Sequence, residues 1–122
     1  MNGSSGWSAY IHNNGSTHEH RFLKSGVAVV SSAIPNTKNS WEHVAWVVDG
    51  NAQPSLYING NLVFTASNTA AINSPGAAQV YIGADQTSAG AAGFFPGLLD
   101  EVRLYNKALS RAEVADIYNR PK

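Results

Sequence analysis

The chain has 122 residues, the length of one ordinary domain, and it contains no cysteine, which excludes disulfides, zinc-thiolate sites and a cysteine nucleophile. Eight basic residues balance eight acidic ones, and only 13% of the chain is charged, about half the usual share. The chain therefore lacks the net positive charge with which proteins bind nucleic acids or anionic membranes. It also lacks a run of eighteen apolar residues, so the sequence does not predict membrane insertion. The uncharged polar residues are mainly Asn, Ser and Gly, and a surface of this composition favours binding of an uncharged partner.

Domain organisation is simple. Residues 1–6 are rich in Gly and Ser and predict a flexible leader, which lacks the basic and apolar regions of a secretory signal. Residues 7–122 are predicted to form one domain.

Short runs of β-branched and aromatic residues, separated by Gly, Pro, Asn and Ser, predict an all-β fold with one short C-terminal helix. The strand at 41–49 is apolar on both faces, so we expect it at the centre of its sheet. In chain order, the predicted strands are Trp7 to His12, Thr17 to Leu23, Gly26 to Ser32, Trp41 to Asp49, Ser55 to Ile58, Leu62 to Ala66, Gln79 to Ala84 and Leu98 to Tyr105.

Local motifs predict a turn and the helix. Asn59-Gly60 separates two apolar runs and tolerates the positive φ angles of a two-residue type I′ hairpin. Ser110 and Glu113 form an S-x-x-E capping box, which predicts a helix from about Arg111 to Asn119. The turn at Asn13-Asn14-Gly15 is predicted to be longer, and residues 67–78 are predicted to be a loop.

Two stretches carry a family resemblance. The first is Trp41-Glu42-His43-Val44-Ala45 followed by Asp49-Gly50 and Leu56-Tyr57-Ile58-Asn59-Gly60; the second is the F-P-G-L-L-D-E-V-R-L-Y-N-K-A-L-S segment at residues 95–110. Together they resemble laminin G-like, concanavalin A-like jelly-roll domains over roughly residues 7–120. The resemblance implies an antiparallel two-sheet sandwich in an extracellular or cell-surface protein, acting as a binding module for glycans or proteins.

The resemblance starts part-way through the family pattern, since such domains usually carry further strands before the segment matched by residues 7–22. We therefore expect an uncovered sheet edge and an apolar face, which a two-fold homodimer would cover.

Catalytic motifs are missing from the sequence. Hydrolases that share this resemblance carry an E-x-D-x-x-E run on one strand, and the chain has none. Asp100 and Glu101 are adjacent, so on a strand they would face opposite sides. The sequence predicts a protein that is not an enzyme.

Two metal hypotheses remain open. Asp100 alternates with Leu98, Val102 and Leu104, which places a carboxylate among core-facing residues; it is either a hydrogen-bonded structural group or, as the resemblance implies for some family members, a calcium ligand. His18 and His20 share one strand face, with His12 across the predicted hairpin. They form either a zinc or nickel site or an ordinary exposed hairpin, the interpretation we favour.

Aromatic residues provide the candidate carbohydrate site. Tyr10, Trp46 and Tyr81 could form a stacking platform, with Asp85 as hydrogen-bond acceptor, although each ring singly could also pack in the core. Trp41 is assigned to the core, and His43 is predicted to be buried and hydrogen-bonded. The leading interpretation is a non-catalytic module that binds carbohydrate or a glycosylated or extracellular partner; the alternatives are a protein-interaction subunit and a hydrolase remnant.

Overall fold

The computed structural model describes residues 6–13, 15–24, 27–30, 34–35, 39–67, 71–73, 80–87 and 90–121. These ranges contain nine strands and one helix, α1 (Arg111–Asn119). The strands are β1 (Trp7–Asn13), β2 (Thr17–Lys24), β3 (Val27–Val30), β4 (Ile34–Pro35), β5 (Val44–Val48), β6 (Pro54–Ile58), β7 (Asn61–Thr65), β8 (Asp85–Thr87) and β9 (Gly90–Ala92). All strand pairs are antiparallel, which confirms the predicted all-β class with one C-terminal helix.

The first sheet is built around β2. It pairs with β1 along one edge and with β3 and β4 along the other. Every second β2 side chain is buried, because alternate residues of a strand point to opposite faces. These buried residues are His18, His20, Phe22 and Lys24.

The second sheet has the order β5-β6-β7, so β6 is its central strand and Leu56 on it is fully buried. The prediction that strand 41–49 is central is wrong for the part of the chain that the structure describes, where β5 pairs with β6 alone. The apolar pattern of residues 41–49 indicates which side chains pack inward, but it does not indicate how many strands lie beside β5.

The two sheets meet through aromatic side chains. Phe22 of β2 lies 5.8 Å from the ring of Trp7 and 5.4 Å from the ring of Trp46 on β5. Phe22 and Ala66 form the buried core cluster, and Trp46, Val48, Phe64 and Ile72 pack against it. Contact between faces of two antiparallel sheets is the arrangement of a β-sandwich.

The predicted hairpin turn and helix are both confirmed. Asn59 and Gly60 have φ angles of 49° and 78°, as a type I′ turn requires. The Ser110 side chain accepts from the Glu113 N–H, and the Glu113 carboxylate accepts from the Ser110 N–H. Tyr118 of α1 packs over the turn, where a Cβ on Gly60 would lie 3.1 Å from its ring.

His43 joins this region. Its N–H donates to Asn59 Oδ1 at 2.9 Å, its carbonyl accepts from the Asn59 N–H at 2.9 Å, and its ring lies 5.8 Å from that of Tyr118. The half-buried ring therefore helps to position the helix against the second sheet.

Two predicted strands are wrong. Residues 80–84 and 98–105 are irregular, and Leu98 is 79% exposed; Gln79 lies outside the described residues. An apolar alternation forms a strand only where a neighbour satisfies the backbone, and among the described residues neither segment has a ladder partner. The β8–β9 ribbon, which was not predicted, lies between them.

The assignment of Trp41 to the core is wrong. Its side chain is 60% exposed and lies in the irregular segment 41–43 before β5.

The last residue of the predicted leader, Gly6, is hydrogen-bonded: its N–H donates to the Asn73 carbonyl at 2.7 Å. Residues 1–5 lie outside the described part. Within the described ranges, none of the helical structure is long and apolar enough to cross a membrane.

Candidate functional site

A buried polar cluster lies between the two sheets. His18 and His20 occupy the inner face of β2 and are 7% and 1% exposed. Glu42 lies in the irregular segment that leads into β5 of the second sheet, and its carboxylate contacts His20. The cluster therefore joins residues 22 positions apart in the chain.

The three side chains converge on one point. His20 Nε2 lies 3.1 Å from His18 Nε2 and 3.0 Å from Glu42 Oε1, and His18 Nε2 lies 3.8 Å from the same oxygen. Burial lowers the pKa of His20, and His18 adds to this effect, while Glu42 opposes it. Burial thus favours the neutral imidazole at His20.

This cluster corrects two expectations about the histidines. The favoured interpretation of an exposed hairpin is wrong for His18 and His20, which are buried. His12 does not join them, because it pairs directly with Glu19, and residues directly opposite in an antiparallel pair share a face. His12 is therefore on the outer face, and the third donor group is Glu42.

The sequence pattern H-x-H located the histidine pair correctly on one strand face. No motif in the neighbouring sequence indicates that Glu42 joins the histidines, because its contact with β2 depends on how the two sheets pack. The arrangement of two imidazoles and a carboxylate is able to hold a metal ion of the transition series.

The outer face of the first sheet carries a different group of side chains around Tyr10, which is 40% exposed. Tyr10 lies directly opposite Arg21, whose Nη2 and Nε donate to Glu19 Oε2 at 2.8 and 3.1 Å. These bonds with Glu19, and a further hydrogen bond to Tyr10, raise the pKa of Arg21. An exposed ring thus stands beside a fixed donor and a fixed acceptor.

The other predicted carbohydrate residues lie in separate surroundings. Trp46 is half-buried and packs against Phe22 in the core. Tyr81 is 37% exposed in the irregular segment before β8, and Asp85 is exposed as the first residue of that strand. The structure therefore places Tyr81 and Asp85 in one short surface segment and Trp46 between the sheets.

Asp100 differs from its expected environment. It is exposed in the irregular segment 98–105, where Leu98, Val102 and Leu104 are exposed as well. Its Oδ1 accepts the Glu101 N–H at 2.8 Å. The expectation of a carboxylate among core-facing residues is wrong, because this segment forms no strand and the neighbouring apolar side chains are exposed. The calcium role of Asp100 stays a prediction.

The fold is an antiparallel β-sandwich with a C-terminal helix. Comparison with known proteins identifies the family of the chain. Residues 1–115 match the model of the laminin G-type family in the concanavalin A-like lectin/glucanase superfamily, and the chain belongs to this family.

A crystal structure of an S-layer domain-containing protein from Clostridium thermocellum (residues 221–444) has a similar fold. The TM-score is 0.57 at 20% sequence identity, over 93% of this chain and 64% of that one. The chain therefore spans less than two thirds of the length of that structure. Comparison with curated proteins gives no match.

Proposed function

We propose that the chain is a non-catalytic binding module of an extracellular or cell-surface protein, and that it recognises carbohydrate through the outer face of its first sheet. Family membership supports a binding role, because domains of this type often serve as binding modules. The observation that carries the proposal is Tyr10, exposed beside the Arg21–Glu19 pair.

The chemistry of these three side chains matches that of a sugar. A pyranose presents a C–H face that stacks on an aromatic ring, and hydroxyls at its edge that both donate and accept hydrogen bonds. The Arg21 guanidinium is a donor and the Glu19 carboxylate an acceptor. Since the two charges cancel, the face suits a neutral ligand.

Tyr81 and Asp85 are the second contact in this proposal. They offer one ring and one acceptor within five residues of each other. Trp46, whose ring lies against Phe22, supports the sandwich beneath the binding surface. A non-catalytic role is supported by the missing E-x-D-x-x-E run in the sequence.

A glycan array followed by calorimetry tests the proposal. We expect at least one bound glycan with a dissociation constant in the micromolar to millimolar range, since few contacts are made. Tyr10→Ala should weaken binding about three- to tenfold, the equivalent of one ring contact.

Tyr105→Ala is the matched control, because Tyr105 is also exposed and hydrogen-bonded to an arginine, Arg103, that pairs with a glutamate. Equal losses in both variants, or no bound glycan at all, would refute the proposal.

Calcium at Asp100 is a separate part of the proposal. Asp100→Asn keeps the shape of the side chain and removes its charge. If the carboxylate ligates calcium, the wild type should melt at a higher temperature with calcium than with chelator, and the variant should lose that difference. A wild type that is indifferent to both would leave Asp100 as a structural residue.

A second candidate function, protein interaction, is favoured by the exposed apolar side chains of segment 98–105. Leu98, Val102 and Leu104 are 79%, 53% and 66% exposed. Exposed apolar groups that lie together are typical of interaction surfaces. A two-fold homodimer would cover them. Light scattering should then give a mass of about 26 kDa, twice the 13.0 kDa of the chain; a mass of one chain would exclude the homodimer.

A further inference from the structure

The polar cluster of His18, His20 and Glu42 has an unusual pattern of contacts. His20 Nε2 approaches both His18 Nε2, at 3.1 Å, and Glu42 Oε1, at 3.0 Å. An imidazole nitrogen presents either one proton or one lone pair to its surroundings. With a proton, it must share that proton between two acceptors; with a lone pair, it faces a carboxylate oxygen that carries only lone pairs. Hydrogen bonding alone therefore satisfies one of these contacts fully and not both.

A cation resolves this conflict, because it accepts lone pairs from all three atoms at once. The three interatomic distances also have the right size for one. The point that is equidistant from the two Nε2 atoms and Glu42 Oε1, and lies in the plane of these three atoms, is about 2 Å from each of them. This separation is close to the zinc–nitrogen distance of about 2.0–2.1 Å.

We infer that His18, His20 and Glu42 form a binding site for a divalent transition-metal ion of the zinc type. Two imidazoles and one carboxylate form a donor set that zinc takes in proteins, with its fourth position left to water or to another ligand. Nitrogen donors disfavour calcium and magnesium, which prefer oxygen ligands. This site is distinct from the calcium proposed at Asp100 and from the outer face around Tyr10.

The location indicates what the ion would do. His18 and His20 belong to the first sheet, and Glu42 lies two residues before the first strand of the second sheet. A bound ion would therefore connect the two sheets at one end of the aromatic core. It would also fix the segment that carries the exposed Trp41.

Titration of the purified chain with Zn²⁺ tests the inference, with any affinity tag removed so that the four histidines of the sequence are the only ones present. We expect one ion per chain and a rise of roughly 10 °C in melting temperature when free zinc exceeds its dissociation constant about a hundredfold. Co²⁺ should bind to the same site and give the visible absorption of tetrahedral cobalt, whereas Ca²⁺ should produce no shift.

The chain offers matched controls on the opposite face of the same sheet. Glu42→Gln should weaken zinc binding at least tenfold, and Glu19→Gln should not. Likewise, His18→Asn should abolish the cobalt absorption, and His12→Asn should preserve it. Glu42 is preferred over fully buried His20 as the main target because its side chain is 18% exposed, and circular dichroism checks that each variant is folded.

Three results would overturn the inference. They are the lack of saturable zinc binding by the folded wild type, equal losses in Glu42→Gln and Glu19→Gln, and loss of binding in His12→Asn. The readouts are metal binding and spectroscopy, so they do not depend on whether the chain binds carbohydrate.

Discussion

Phe22 provides the most direct test of how the sandwich is held together. Its ring is 4% exposed and contacts Trp7 of the neighbouring strand and Trp46 of the other sheet. Removal of a buried phenylalanine side chain costs about 3–5 kcal/mol. The two ring contacts contribute about 0.5–1.5 kcal/mol each, so we expect Phe22→Ala to lie in the upper part of that range.

Phe22→Leu separates these contributions, because leucine keeps most of the apolar volume and loses the ring contacts. We expect a loss of about 1–2 kcal/mol in the free energy of unfolding. The milder variant also stays measurable if the domain has only about 5–15 kcal/mol of total stability. Urea unfolding followed by tryptophan fluorescence is the assay, since Trp7 and Trp46 both lie against the altered side chain.

Val63→Ala is the control, as Val63 is half-exposed on β7 and should change stability by about 0.5 kcal/mol or less. Two outcomes would contradict this prediction: Phe22→Ala costs less than about 1 kcal/mol, or leucine and alanine at this position are equally destabilising. Either outcome would mean that the ring does not connect the two sheets as described.

Two further predictions concern the hairpin turn and the helix. Gly60→Val should lower the free energy of unfolding by about 1–3 kcal/mol, because a β-branched residue resists positive φ and its Cβ would meet the Tyr118 ring; an unchanged urea midpoint would contradict this. Hydrogen bonds from Lys107 and from the Ser110 backbone lower the pKa of Glu113 to about 2, so its stabilising effect should be present above pH 4.5, the ordinary value, and be lost as the pH falls toward 2. Melting temperatures of the wild type and Glu113→Gln should therefore differ at neutral pH and converge near pH 2, and a constant difference across this range would argue against the capping role.

The elements that the sequence predicted correctly are those with local causes. The capping box at Ser110 fixes where the helix begins within one turn of chain, and Asn59-Gly60 fixes its turn through the φ angles of two residues. The H-x-H pattern placed His18 and His20 on one strand face for the same reason. Each of these inferences needed no knowledge of a distant partner.

The failures share the opposite property, because each depended on a partner that the local sequence does not specify. The alternation around Asp100 indicated a strand, but strand 98–105 would need a neighbour for its backbone. The sequence does not predict the role of Glu42, because its partner His20 is 22 positions away. The face that His12 occupies depends on the register of the first hairpin, and the longer turn of this hairpin does not specify that register.

The inner face of β2 carries buried polar side chains beside Phe22, and these side chains position the two sheets relative to each other. Phe22 packs against the other sheet without directional bonds, so apolar contact there tolerates small sliding movements. At one end of the strand, buried Lys24 donates from Nζ to the Ala52 carbonyl, and burial lowers its pKa. At the other end, His20 meets Glu42. A buried polar group without its partner is costly, so these two contacts together favour the observed placement of the second sheet on the first. A metal ion at the histidine end would strengthen that placement, and its loss should therefore loosen the segment before β5 ahead of the aromatic core.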